Sequence, residues 1–225
     1  MGGFILKTLC IDTSSKLCSV AILEDTTLIN KLELDNGLTH SETLMPLIKE
    51  LLEKNNLSLN DINLLVSDIG PGSFTGIRIG VATCKAFSDS LNIPCIGICS
   101  LEVLAYNEKN DGIICSTIDC KNDNCYFALY ELLDGNYTVL EKPCAKAVTE
   151  VLDILNTKYS NKKINYVGDG IPSNSTNCYL NVENLGIAGY KKFISHNNVG
   201  EDILPLYLKK PQAQRQLEEK MKFSN

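Results

Sequence analysis

Apolar runs of strand length open the chain at Phe4 to Asp12, Leu17 to Leu23 and Thr27 to Leu34, joined by short polar connections at Ser14-Ser15-Lys16 and Glu24-Asp25. Such runs with tight polar joints predict the hairpins of a meander. The period then changes. Leu44, Ile48 and Leu51 fall on one stripe with Met45 and Leu52 beside it, which predicts a helix from about His40 to Lys54, and the run Ile62 to Ile69 reads as a strand. The order is βββαβ. From Gly112 it returns: strands Ile113 to Asp119, Tyr126 to Leu132 and Tyr137 to Glu141, a helix from about Ala147 to Asn156, and the strand Lys163 to Val167. The first strands of the two units end alike, Ile11-Asp12-Thr13 against Ile118-Asp119-Cys120. Between the units lie an apolar helical run from Ile77 to Leu91, a short helix from Leu101 to Tyr106, and the polar stretch 107–111. Residues 170–200, rich in Asn and Ser, predict no element.

A duplicated βββαβα unit with an aspartate at the tip of each first strand resembles the two-lobed α/β fold of the actin, Hsp70 and sugar-kinase (ASKHA, ribonuclease H-like) superfamily, in which a nucleotide sits between the lobes. The expected division is residues 1–108 for the N-terminal lobe and 109–225 for the C-terminal lobe with a tail helix.

Active members of that superfamily need glycine just after each strand-end aspartate, because backbone N–H groups hold the phosphates and a Cβ blocks their approach. The first loop, Asp12-Thr13-Ser14-Ser15-Lys16, has hydroxyls and no glycine. The second, Asp119-Cys120-Lys121-Asn122-Asp123-Asn124, also lacks glycine and carries two carboxylates where a polyphosphate would lie. A third candidate, Val167-Gly168-Asp169-Gly170, has the flexible turn of an adenosine loop, although a lone Gly-x-Gly after a strand is usually just a turn. These read as degenerate nucleotide loops, and no cofactor is expected.

Composition narrows the rest. At 225 residues, 44% hydrophobic and 21% charged, the chain can bury a substantial core. Ten cysteines without a signal-like N-terminus imply reduced thiols and a cytoplasmic location. No apolar run approaches the ~20 residues of a membrane span, so no membrane role is expected. The net charge of -6 argues against stand-alone binding to nucleic acid; only the end of the chain is locally basic, with Lys209, Lys210, Arg215, Lys220 and Lys222 against Glu218 and Glu219. The cysteine spacings are not those of zinc ligands and the only histidines are His40 and His196, so no metal site is expected. Thr39-His40-Ser41-Glu42 fits a helix capping box better than a catalytic pair. The cysteines have no partner histidine at a telling spacing, and Gly72-Ser73-Phe74-Thr75-Gly76 departs from the nucleophile elbow, in which serine is central.

The glycine-rich segment 70–80 runs straight into a helix whose small residues Gly76, Gly80 and Cys84 form one stripe, with Ile77, Val81 and Phe87 alongside. Three readings are open: close packing of an external helix, close packing against the chain's own core, or an anion at the helix N-terminus.

The same residues, Gly70-Pro-Gly-Ser-Phe-Thr-Gly-Ile-Arg-Ile-Gly80, closely resemble the hallmark segment of the bacterial TsaB (YeaZ) family, and further segments fit in order: Cys10-Ile-Asp-Thr-Ser14, His40-Ser-Glu-Thr-Leu-Met-Pro46, Ser100-Leu-Glu-Val-Leu-Ala105, Asp119 to Glu131 and Pro205-Leu-Tyr-Leu-Lys209. The resemblance implies a non-catalytic subunit of the machinery that makes threonylcarbamoyladenosine in tRNA. It implies pairing with a TsaD-like catalytic paralogue, recruitment of a TsaE-like ATPase, and contact with tRNA through the complex. The family's heterodimer interface uses the first two helices, which selects Leu44 and Ile48 on the first and Gly76, Ile77, Gly80, Val81, Cys84 and Phe87 on the second. Lacking its partner, this stripe can pair with a copy of itself as a homodimer. The alternative class is a stand-alone kinase of the sugar-kinase type or a metallopeptidase, which requires ATP or metal binding by the isolated chain.

Overall fold

The structure, a computed structural model, describes residues 5–35, 37–171 and 177–209. The tail helix expected beyond Lys209 lies outside the described residues. Five strands make the first sheet: β1 (Lys7–Asp12), β2 (Cys18–Glu24), β3 (Thr27–Leu34), β4 (Leu64–Asp68) and β5 (Cys95–Ile98), in the order β3-β2-β1-β4-β5. Four make the second: β6 (Gly112–Asp119), β7 (Asn124–Leu133), β8 (Asn136–Ala147) and β9 (Ile164–Gly168), in the order β8-β7-β6-β9. The duplication holds at the level of pairing. β1 is antiparallel to β2 and parallel to β4, and β6 is antiparallel to β7 and parallel to β9.

The helices are α1 (His40–Lys54), α2 (Phe74–Leu91), α3 (Ser100–Ala105), α4 (Val148–Lys158) and α5 (Val182–Ser195). Alternation along β1 sends Leu9 and Ile11 into one cluster with α1 and α2, and Cys10 into another with α5. Both faces of this sheet are therefore buried, which is why its central strands read as nearly continuous apolar runs. Each fully buried Leu or Ile here contributes about 1.5–3 kcal/mol relative to exposure. In the second sheet, Ile114, Ala128 and Tyr130 face Leu101, Leu104 and Ala105 around α3, while Ile113, Phe127 and Leu129 face Val151 and Leu155 of α4.

Chain order and lobe membership do not coincide. α3 precedes the 107–111 boundary yet packs on the second sheet, and α5 follows it yet packs on the first. The segment after α5 returns to the first lobe too: the Glu201 N–H donates to the Cys95 carbonyl at 2.8 Å, and Ile203 is buried in the α1/α2 core. All ten cysteines are free thiols, with Cys10, Cys18, Cys95 and Cys115 buried in strands.

Helix α5 is the longest element that sequence reading missed, and its composition explains why. Two glycines in mid-helix lower its intrinsic propensity, yet a Cβ on Gly186 would come 2.7 Å from Leu23 and 2.8 Å from the Cys10 sulfur, and one on Gly189 would come 2.5 Å from Val66. The glycines let the helix lie directly on the sheet. Its start carried a readable signal, because the Asn181 side chain accepts a hydrogen bond from the Glu183 N–H at 3.0 Å. β8 also runs six residues past the expected Glu141, through Pro143, which is tolerated because β8 is an edge strand.

Gly189→Leu is expected to push α5 off Val66 and lower stability by about 1–3 kcal/mol. Urea unfolding checks this as a fall in midpoint, and an unchanged midpoint would show that α5 does not need this close approach.

Candidate functional site

The loop after β1 and the start of α2 form one unit. The Ser14 N–H and hydroxyl both lie within hydrogen-bond reach of Asp12 Oδ1, at 2.8 and 2.7 Å, which turns the chain sharply at the strand end. The Ser73 N–H then donates to the Ser14 carbonyl at 2.7 Å, and the Thr13 hydroxyl donates to the Gly76 carbonyl at 2.7 Å. Ser73 caps α2 by accepting from the Gly76 N–H at 3.2 Å. A Cβ on Gly72 or Gly76 would overlap the carbonyl oxygens of Ser14 and Thr13, and one on Gly80 would lie 2.5 Å from the Thr13 hydroxyl.

The small stripe is therefore turned inward. Gly76, Ile77, Gly80, Val81 and Cys84 are buried against the lobe's own sheet, Leu44 and Ile48 are buried beside them, and Phe87 is half-buried. Within this chain the small residues serve the approach of α2 to the first loop. The outward surface of the same two helices is different. One exposed stripe of α2 carries Thr75, Ala82 and Ala86, with Ile79 half-buried among them; on α1, Met45 is 49% exposed. Sequence reading missed this face because two small stripes run along one helix and only the sheet decides which is covered.

Behind the first loop sit two buried carboxyl groups, Asp12 and Asp68, each 1% exposed. Ser14 Oγ lies 2.7 Å from Asp12 Oδ1 and 3.2 Å from Asp68 Oδ2. Asp68 Oδ1 accepts from the Gly70 N–H and the Ser100 hydroxyl, both at 2.7 Å. Burial, and then the charge of Asp12, push Asp68 well above the usual carboxylate value; burial also raises Asp12, against its bonds from Ser14. A hydroxyl has one proton to give. With Asp68 protonated, Asp68 donates to Ser14 and Ser14 to ionised Asp12, so every member of the chain is satisfied.

The second loop has the opposite character. Asp119 is part-exposed, accepts from the Lys121 N–H at 2.9 Å and pairs with its ammonium at 2.6 Å, and these contacts hold its carboxyl below the usual range. The Asp119 N–H donates to Asp169 Oδ1 at 2.8 Å. A Cβ on Gly168 would overlap the Thr117 carbonyl oxygen, and one on Gly170 would come 2.7 Å from both Cys125 and Thr117. The glycine turn is filled by β6 and β7.

His40 does not stand free: its Nε2 lies 2.9 Å from the Ser15 carbonyl, tying α1 to the first loop. Glu42 accepts from the Thr39 N–H at 3.1 Å, as the capping reading requires. Between these elements opens a cleft of about 630 Å³, bordered by Ser15, Lys16, Thr39, His40, Thr75 and Ile79. It lies at the edge of the exposed face of α1 and α2.

The buried pair makes stability depend on pH. Its folded-state pKa values lie above the usual 3.8, so the folded chain holds a proton that the unfolded chain releases, and stability falls as pH rises from about 4 toward those raised values. Asp68→Asn keeps the acceptor for Gly70 and Ser100 and supplies a fixed donor toward Ser14. It is expected to raise stability at pH 8 relative to the parent and to give no gain at pH 4. Urea unfolding across pH checks this; an equal effect at both pH values would show that no proton is shared.

Residues 37–213 match the family model described as TsaD, tRNA N6-adenosine threonylcarbamoyltransferase. The chain is 36% identical over 131 residues to the tRNA threonylcarbamoyladenosine biosynthesis protein TsaB of Bacillus subtilis (strain 168), covering 58% of this chain and 57% of that one. It is 33% identical over 129 residues to the TsaB of Escherichia coli (strain K12), covering 56% and 55%. The matched regions thus span little more than half the length of these relatives. Among solved structures, YeaZ from Pseudomonas aeruginosa superposes with a TM-score of 0.74 at 23% identity, over 90% of this chain and all of that one, which establishes the common fold. A family model matched over most of the chain, on a fold that YeaZ shares, means that the chain belongs to the tRNA N6-adenosine threonylcarbamoyltransferase family, within which its relatives bear the TsaB and YeaZ names.

Proposed function

We propose that this chain is a non-catalytic accessory subunit of tRNA threonylcarbamoyladenosine synthesis. It pairs with a TsaD-like catalytic paralogue through the outward faces of α1 and α2, orders that partner's active site and supports recruitment of a TsaE-like ATPase. One observation carries the reading. Gly72 and Gly76 of the hallmark segment lie against the Ser14 and Thr13 carbonyls, so the loop that holds phosphate in active superfamily members is used here to fix α2. One stripe that α2 then offers outward is Thr75, Ile79, Ala82 and Ala86, small enough for a second helix to approach closely, with the exposed Met45 on α1 as an adaptable apolar contact.

Two measurements test this. Ala82→Arg and Met45→Glu are expected to leave unfolding midpoints within about 0.5 kcal/mol of the parent, as exposed substitutions do, and to weaken pairing with the catalytic paralogue by more than about tenfold, the scale of a lost interface contact. Calorimetric titration reads the affinity, and unchanged pairing by both variants would place the interface elsewhere. Formation of threonylcarbamoyladenosine on tRNA is expected in a mixture of the adenylate-forming enzyme, the catalytic paralogue, the ATPase and ATP only when this chain is added. Equal product without it, or ATP binding by the isolated chain, would favour the stand-alone kinase reading.

A further inference from the structure

The residues after α5 form a strap across both lobes. The Gly97 N–H donates to Glu201 Oε1 at 2.9 Å, the Leu206 N–H to the Ile69 carbonyl at 2.7 Å, and the Lys209 ammonium to the Cys120 carbonyl at 3.1 Å. Where the strap passes the start of α2, three side chains gather. The Arg78 guanidinium carbon lies 3.9 Å from the Phe74 ring centre and 5.6 Å from that of Tyr207; the two rings are 5.1 Å apart, and Arg78 Nε donates to the Tyr207 hydroxyl at 2.6 Å.

We propose that Phe74, Arg78 and Tyr207 form a stacking platform for an unpaired base of RNA, with Lys209, two residues further along the strap, for the adjoining phosphate. A clamp that only fastened the strap would bury its rings. Here Phe74 keeps 46% and Tyr207 43% of its surface exposed, and neighbouring Leu204 keeps 64%. Aromatic faces and guanidinium planes held in this way are the groups on which splayed-out RNA bases stack.

The charge around the platform favours the same occupant. Two carboxylates of the strap and one of the second loop have lysine partners: Asp202 pairs with Lys85, Glu201 with Lys192 and Asp119 with Lys121. Among the described residues, neither Arg78 nor Lys209 has a carboxylate within ion-pair distance. Beyond Lys209 the sequence continues with Lys210, Arg215, Lys220 and Lys222 against Glu218 and Glu219, a local excess of positive charge on a chain of net charge -6. An apolar protein partner has no use for that excess; a phosphate backbone does. The choice of RNA as ligand class rests on the tRNA-modification reading above.

The test uses the full chain and a fluorescently labelled RNA stem-loop with an unpaired loop, compared with the same stem closed into a continuous duplex. Anisotropy at low salt is expected to show the stem-loop bound more tightly than the duplex. Tyr207→Leu should weaken stem-loop binding by roughly tenfold, the scale of one lost base–aromatic stack, and leave duplex binding unchanged, whereas Tyr207→Phe keeps the affinity. Lys209→Ala should lower the salt dependence by about one phosphate contact. Phe74→Leu, on the other element, gives the same loss and serves if Tyr207→Leu fails to fold by circular dichroism. Absence of stem-loop binding by the parent chain, or equal affinity in the Tyr207 and Phe74 leucine variants, would overturn the platform. Pairing with the catalytic paralogue is measured on the same variants. If pairing falls and RNA binding does not, the surface is a protein contact and the platform is overturned while the accessory reading stands.

Discussion

Everything in the N-terminal lobe is arranged around the contact between the first loop and the first two turns of α2. Two carbonyl oxygens, those of Thr13 and Ser14, point into space that side chains at Gly76 and Gly72 would fill. The Thr13 hydroxyl and the Ser73 N–H close the contact with hydrogen bonds of 2.7 Å each. Because the approach is backbone to backbone, it fixes the direction of α2 over the sheet, and with it which stripe of the helix is buried. α1 is tied to the same loop through His40, and the buried Asp12–Ser14–Asp68 chain joins the ends of β1 and β4 beneath it. The outward surface of α1 and α2 inherits its rigidity from this contact.

The duplication makes the divergence between the halves informative. β1 and β6 have the same pairing pattern and both end in aspartate, yet Asp12 is sealed beneath hydroxyls and a second carboxyl, while Asp119 is part-exposed and held by Lys121. One tip is a structural lock and the other a charged surface turn. In the first loop the Ser14 N–H is taken by Asp12, and in the second the Lys121 N–H is taken by Asp119.

The crossing of α3 and α5 gives the two lobes a shared architecture. Each covers a sheet built largely by the other half of the chain, and the strap after α5 adds bonds to Ile69 and Cys120 on either side. Relative motion of the lobes has to break these contacts together. A surface on α2 is in this way mechanically linked to the second lobe through Arg78 and Tyr207.

The sequence by itself determined the strands and helices of both βββαβ units, their duplication, the aspartates at the strand tips and the lack of glycine beside them, because strand length, helical period and turn composition are local properties that survive without knowledge of neighbours. It also contained the family's hallmark segment. It did not determine α5, whose two glycines look like breakers until Cys10, Leu23 and Val66 are placed beneath them. It did not determine which side of α2 is outside, since Gly76-Gly80-Cys84 and Thr75-Ala82-Ala86 are both small and both lie at helical spacing. Nor did it reveal the Asp12–Asp68 pair or the Phe74–Arg78–Tyr207 cluster, whose members are 56 and up to 133 residues apart in the chain. These were decided by the tertiary structure alone, because close packing is a relation between distant surfaces: a glycine, a carboxyl group or an exposed ring acquires its meaning from what the fold sets against it.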